Sequence, residues 1–240
     1  MNEFLLILTI VLIYGAVLLS YMFFGRVGLY CVSAIATVLA NIEVLILIKA
    51  FGMEQTLGNV LFAATFLITD ILSECEGKRS ANKAVYIGIF CTVLFLGISQ
   101  CWLLFTPSEN DTVMPAIREV FSQTPRVVLA SLIVYIISQF FDVWLYHKWW
   151  DFTQKKWGNK NKFLWLRNNG STLVSQLLNT LLFTTLAFAG TYDLTTFLSI
   201  FGFSYIIFIF TSLLDTPFIY LARKIKAARV RRMGMLRDAD

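Results

Sequence analysis

The chain has 240 residues, of which 58% are hydrophobic, 15% aromatic and only 15% charged, with a mean hydropathy of +0.70. Globular domains in water run at roughly 45–50% apolar and about 25% charged, and the 22 Phe of this chain leave too few polar groups to cover such a surface. A soluble enzyme, a disordered tail and a disulfide scaffold are thereby excluded, and a polytopic membrane protein is left. The formal charge of +5 comes from 20 basic and 15 acidic residues, whose placement matters more than their sum. Cys31, Cys75, Cys91 and Cys101 form no C-x-x-C pair, and the single His147 completes no Cys/His cluster, so the cysteines read as apolar filler. No metal or cofactor is expected. Met1 is read as a retained terminus, because no basic n-region with a small-residue cleavage site follows it.

A hydrocarbon core about 30 Å thick needs roughly 20 mostly apolar helical residues. Seven stretches qualify: 3–24, 28–51, 56–75, 84–105, 125–147, 169–190 and 196–222. The fold class predicted is an all-α transmembrane bundle. The third stretch ends in the polar run Thr69-Asp70-Ile71-Leu72-Ser73-Glu74. A six-helix reading would make one early segment re-entrant, and seven is preferred. Charge supports an odd count: Arg26, Lys78, Arg79, Lys83, the basic residues of 148–167 and those of Arg223–Arg237 fall on one side, against Lys49, Arg118 and Arg126 on the other. The positive-inside rule then puts the N-terminus outside and the C-terminus in the cytoplasm. Trp144, Trp149, Trp150, Trp157 and Trp165 flank the inner boundary, as an aromatic belt does. Residues 1–222 form the membrane domain in this reading, and 223–240 a basic cytoplasmic tail.

Polar side chains inside spans are expensive and mark sites. Asn41 and Glu43 lie on the second span, Asp70 and Glu74 on the third, Gln100 on the fourth and Asp215 on the seventh. The fifth span carries Ser138-Gln139-Phe140-Phe141-Asp142 and the sixth Ser175-Gln176-Leu177-Leu178-Asn179, one S-Q-x-x-[D/N] pattern used twice. Gln139 precedes the inner end of its helix by as much as Gln176 follows it, so both amides sit roughly 12 Å deep. If the two helices are neighbours, the two polar faces converge on one cavity. Amides present a donor beside an acceptor, and a carboxylate presents two acceptors. Together they suit the edge of a flat heterocycle, with Phe66, Phe140 or Phe141 to stack on its face. Purines, pterins and other flat vitamins fit equally well.

The same residues carry a resemblance. FLITDILSECEGKRSANKAVYIG (66–88), RVVLASLIVYIISQFFDVWLYHKWW (126–150) and LWLRNNGSTLVSQLLNTLLFTTLAF (164–188) resemble the three ordered signatures of the bacterial queuosine precursor transporters, also called the vitamin uptake transporter family. The likeness covers about residues 55–222. It implies uptake of 7-cyano- and 7-aminomethyl-7-deazaguanine through a bacterial inner membrane, by alternating access and without catalysis. By residue matching it places Asp70, Glu74, Gln139, Asp142, Gln176 and Asn179 at the substrate, with Asp70 and Glu74 as further contacts or a proton site. Arg126, Asn169, Asp215 and Glu43 are left for coupling or gating. Two positions depart from the pattern: Asn179 stands where Asp is common, and Glu76 where an aromatic residue is usual. The partners expected are the small base, the bilayer and a coupling proton or cation; a homo-oligomer is left open, and no nucleic acid is expected. The alternative reading is the substrate-binding subunit of an energy-coupling-factor importer for a flat vitamin or nucleobase, whose separate ATPases would supply the P-loop absent here. An intramembrane aspartyl enzyme is disfavoured because Asp70 and Asp215 lack a G-x-G-D setting.

Overall fold

In lipid a backbone must satisfy its own hydrogen bonds, so long apolar runs become helices. A computed structural model describes residues 1–122, 125–158, 163–188, 190 and 193–237, without the side chains of residues 53, 54, 125, 126, 128 and 232–237. The order is α1 (Asn2–Phe24), α2 (Arg26–Glu43), β1 (Leu47–Ala50), β2 (Met53–Thr56), α3 (Asn59–Glu76), α4 (Lys78–Trp102), α5 (Met114–Ser122), α6 (Pro125–Trp157), α7 (Leu164–Phe188) and α8 (Leu194–Arg237). Among the described residues, α1, α2, α4, α6, α7 and α8 are long and apolar enough to cross a membrane. The seventh long helix, α3, falls short of that measure for a physical reason. It is nearly all buried and packs against α1, α2, α4, α6 and α8, so it can carry Asn59, Asp70 and Glu74 without exposing them to lipid.

The expected second span, 28–51, is corrected: helix α2 stops at Glu43, and residues 47–56 form an antiparallel hairpin with Leu47 opposite Thr56 and Lys49 opposite Glu54. Its two-residue turn, Phe51–Gly52, has positive φ at both positions (51° and 80°), which matches the right-handed twist of the strands. Polar Lys49, Glu54 and Gln55 punctuate the apolar run, and strand pairing satisfies the backbone there. Other helices outrun their apolar stretches, since α6 continues to Trp157, α7 starts at Leu164 and α8 reaches Arg237. The polar connection expected over 148–167 is correspondingly shorter.

Consecutive long helices alternate in direction, which defines two ends. The first end holds Asn2, Glu43, the hairpin, α5 and the start of α8; Asn2 Nδ2 donates to the Lys49 carbonyl there at 2.7 Å. The second end holds Gly25, Gly77, the C-terminal turns of α6 and α8 and the start of α7. Among the described residues most basic side chains lie at this second end, while Lys49 and Arg118 lie at the first. Gly25 alone joins α1 to α2, and Gly77 alone joins α3 to α4. Their φ values of 65° and 87° belong to the left-handed region that favours glycine. A side chain at Gly25 would also collide with the Arg229 guanidinium.

Candidate functional site

Helix α3 supplies the centre of the site because its polar residues fall on turns facing α6 and α7. Gln139 of α6 donates through Nε2 to Thr65 Oγ1 at 2.6 Å and accepts from Thr69 Oγ1 at 3.2 Å. Thr172 of α7 donates to Asp70 Oδ2 at 2.9 Å, and Ser138 of α6 donates to Asn179 Oδ1 at 3.4 Å. Thr172, Gln176 and Asn179 are spaced four and three apart, so they share a face of α7. The two helices carrying the repeated S-Q-x-x-[D/N] pattern are packed neighbours, and Gln139 of α6 and Thr172 of α7 both bond to α3. Asp70, Gln139, Asp142 and Gln176 are all fully buried.

Several of these groups have no partner. Both amide atoms of Gln176, both oxygens of Asp142 and one oxygen each of Asp70 and Asp215 are buried without a hydrogen bond, as is the Tyr14 hydroxyl. Asp142 faces Asp70 and Ser175, but Ser175 spends its proton on the Ser171 carbonyl at 2.8 Å. Asp215 faces Tyr14 across α8 and α1 and lies in the electrostatic field of Asp142. An unsatisfied buried polar group costs about 1–3 kcal/mol, more when charged. Orphans gathered on α3, α6, α7 and α8 therefore mark a place that a polar ligand would complete.

The two ends of the bundle differ around this centre. Towards the second end, Glu74 accepts two bonds from Arg167 at 2.9 and 3.0 Å and one from Tyr146 at 2.7 Å, with Arg223 at 3.7 Å. Arg167 is 0% exposed and lies 4.5 Å from the centre of the Trp150 ring. Two residues further along α3, Glu76 accepts from Tyr21 at 2.7 Å and faces Lys226 at 4.0 Å; Arg229 donates to the Tyr21 carbonyl. Glu76 thus takes part in a helix-end network instead of the aromatic contact usual at its position. Towards the first end lies a cavity of about 30 Å³ lined by Asn59, Ser131 and Asn179 with Phe62, Phe183 and Phe208. That is room for about one water.

The remaining expected residues are distributed as follows. Phe66 is buried and tilts against Phe62 at 5.6 Å. Phe140 packs edge-on to Tyr86 of α4, and Phe141 stacks on Trp144 at 5.8 Å, so both rings are taken up by other aromatics. Asn169 ties α7 to α8, donating to Thr216 at 2.8 Å and accepting from Ser212 at 3.2 Å. Glu43 is half-buried at the first end of α2, away from the acid cluster. Arg126 lies on α6, and its side chain is outside the described residues. Sequence reasoning missed Arg167, Tyr146, Tyr14, Thr172 and Phe62. Among the described residues no group of three or more His, Cys, Asp or Glu is arranged to hold a metal ion.

Membrane-crossing helices packed around buried acids and amides have the architecture of a membrane transport protein. The chain belongs to the vitamin uptake transporter family: residues 56–222 match the family model described as "Putative vitamin uptake transporter". It is also 39% identical over 209 residues to the "Probable queuosine precursor transporter" of Bacillus subtilis (strain 168), an alignment covering 87% of this chain and 89% of that one. No solved structure matches. The protein is a multi-pass membrane transporter and not an enzyme.

Proposed function

We propose that this transporter imports queuosine precursors, the 7-cyano and 7-aminomethyl forms of 7-deazaguanine, by alternating access between its two ends. The observation that carries the reading is the set of unpartnered atoms on Asp142, Asp70 and Gln176. A guanine-type edge offers adjacent ring N–H and amino donors, which one carboxylate accepts together, and its carbonyl and ring nitrogens suit an amide that both donates and accepts. The name of the Bacillus subtilis relative supports the same ligand class. In this reading Asp70, Asp142, Gln176 and Asn179 contact the base, Thr172 holds the Asp70 carboxyl, Gln139 braces α6 against Thr65 and Thr69 of α3, and Phe62 and Phe66 supply apolar walls.

The conformer is closed to such a ligand, because about 30 Å³ beside Asn179 takes a water but not a bicyclic base. The second end is sealed by the buried Glu74–Arg167 pair, and the first only by rings and amides, so entry is from the first end. The basic second end is cytoplasmic by the positive-inside rule, which places the N-terminus outside and makes the direction inward.

The test is uptake of labelled 7-cyano- and 7-aminomethyl-7-deazaguanine into liposomes containing the purified protein alone, with guanine as competitor and Asp142→Asn as control. Saturable uptake, lost at least tenfold in the variant while Tm is kept, is expected. Binding without uptake would instead indicate an importer that needs energising partners. Failure to bind either base would overturn the substrate.

A further inference from the structure

The buried charges do not balance. Asp70 on α3, Asp142 on α6 and Asp215 on α8 are each 0–1% exposed. Arg167 is the one fully buried cation among the described residues, and Glu74 holds it through both carboxylate oxygens. The other groups facing the three acids are uncharged donors: Thr172 and Ser175 from α7, and Tyr14 from α1. Tyr146 of α6 is turned to Glu74, and Arg223 of α8 reaches that carboxylate from a partly exposed position. No metal arrangement exists among the described acids. Taking one carboxylate out of water costs several kcal/mol even after relaxation, and a second beside it adds repulsion. A proton held within the cluster removes this cost. Asp70 and Asp142, each with an unpartnered oxygen and facing one another, are placed to share one, the protonated acid donating to its neighbour.

Resting on the substrate reading above, we propose that the Asp70–Asp142 pair is a charge-exchange site: one carboxylate accepts the N–H edge of the base, and the other is neutralised either by a proton or by the substrate's own ammonium. The two precursors differ in this respect. The 7-cyano base is neutral and leaves the second carboxyl its proton, which crosses with the base and goes back with the empty site. The 7-aminomethyl base brings an aliphatic ammonium, which takes the proton's place at the unpartnered oxygens. The displaced proton stays on the entry side, and after release the site takes up a proton from the inner side and carries it out on return. Over a full cycle the neutral base moves no proton, the cationic base is exchanged for one, and neither cycle carries net charge.

The experiment uses the full chain in liposomes loaded with a pH-reporting dye, offering each base in turn. An unchanged lumenal pH is expected with the 7-cyano base and the loss of one lumenal proton per molecule with the 7-aminomethyl base. Each pH unit by which the outside is made more acid should lower the accumulation ratio of the cationic base about tenfold and leave that of the neutral base unchanged. A membrane potential should drive neither. Infrared spectra of the ligand-free protein are expected to show the carbonyl stretch of protonated carboxyls, diminished in Asp142→Asn and in Asp70→Asn. Equal proton counts for the two bases, with uptake intact, would overturn the exchange alone. Absence of the protonated-carboxyl band would overturn the proton-carrying pair whichever substrate is moved. Failure to transport either base, with the band present, would overturn the substrate reading and the exchange built on it.

Discussion

Asp70 and Glu74 stand one helical turn apart on α3, both buried, and their surroundings differ in kind. Glu74 has Arg167, Tyr146 and Arg223 around it and keeps no free oxygen. Asp70 has one threonine hydroxyl and, opposite, further acids that are themselves unpartnered. A compensated buried charge is part of the framework, since removing either member leaves the other stranded. An uncompensated one is tolerated only when something else arrives to complete it. The difference separates a lock from a site along 6 Å of one helix, a distance set by four residues at about 1.5 Å each.

The comparison is broken most severely by Arg167→Met, which strands Glu74. A loss of about 3–5 kcal/mol is expected, read as a fall in Tm of the detergent-solubilised protein. Adding Glu74→Met should recover most of it, and a double-mutant cycle with no coupling would show that the pair does not hold the second end shut. Asp142→Asn is the contrasting change: it removes a carboxyl that no cation compensates, so Tm should hold or rise while uptake is lost. A smaller effect is expected for Gln139→Leu, which removes the amide's bonds to Thr65 and Thr69 at about 0.5–1.5 kcal/mol each while both hydroxyls keep a carbonyl of their own helix. Calorimetry in detergent would detect it, and an unchanged Tm would mean that the amide does not tie α6 to α3.

The least change concerns the exposed start of α8. Asp193 caps it, accepting from the Thr196 hydroxyl at 2.6 Å and from the Thr195 and Thr196 amides. The Thr196 hydroxyl bond first, then its amide, holds this carboxyl below its ordinary value of 3.8. Stability from the cap is therefore complete above that ordinary value and is lost as pH falls through the depressed one. Asp193→Ala should remove this part of the acid sensitivity. Hydrogen exchange at the Thr195 and Thr196 amides is the measurement, and protection that survives the substitution would argue against the cap.

Composition and charge were enough to find the bundle, because lipid admits helices and little else. The packing of α6 against α7 was legible as well, through the hairpin order of the fifth and sixth stretches. The partner of Glu74 was not. Arg167 follows Lys160 and Lys162 closely in the sequence, where a basic residue counts as a topology signal, and only packing brings it to a carboxylate 93 positions away. Phe62 was hidden for another reason: its importance lies in touching Tyr135 and Phe208 from other helices, which periodicity along α3 does not encode. Polar Lys49 and Glu54 marked the hairpin, but the apolar residues between them read equally well as the end of a span.

The single-glycine joints have a kinematic consequence. A connection one residue long fixes how far two helices can slide along each other while leaving their crossing angle free. Gly25 and Gly77 impose this on α1–α2 and α3–α4 at the same end of the bundle. Two hairpins pinned this way behave as the arms of tongs. Any rotation about such a joint displaces the far tips most and the pivot least, and chain length limits piston-like travel of α3 against α4.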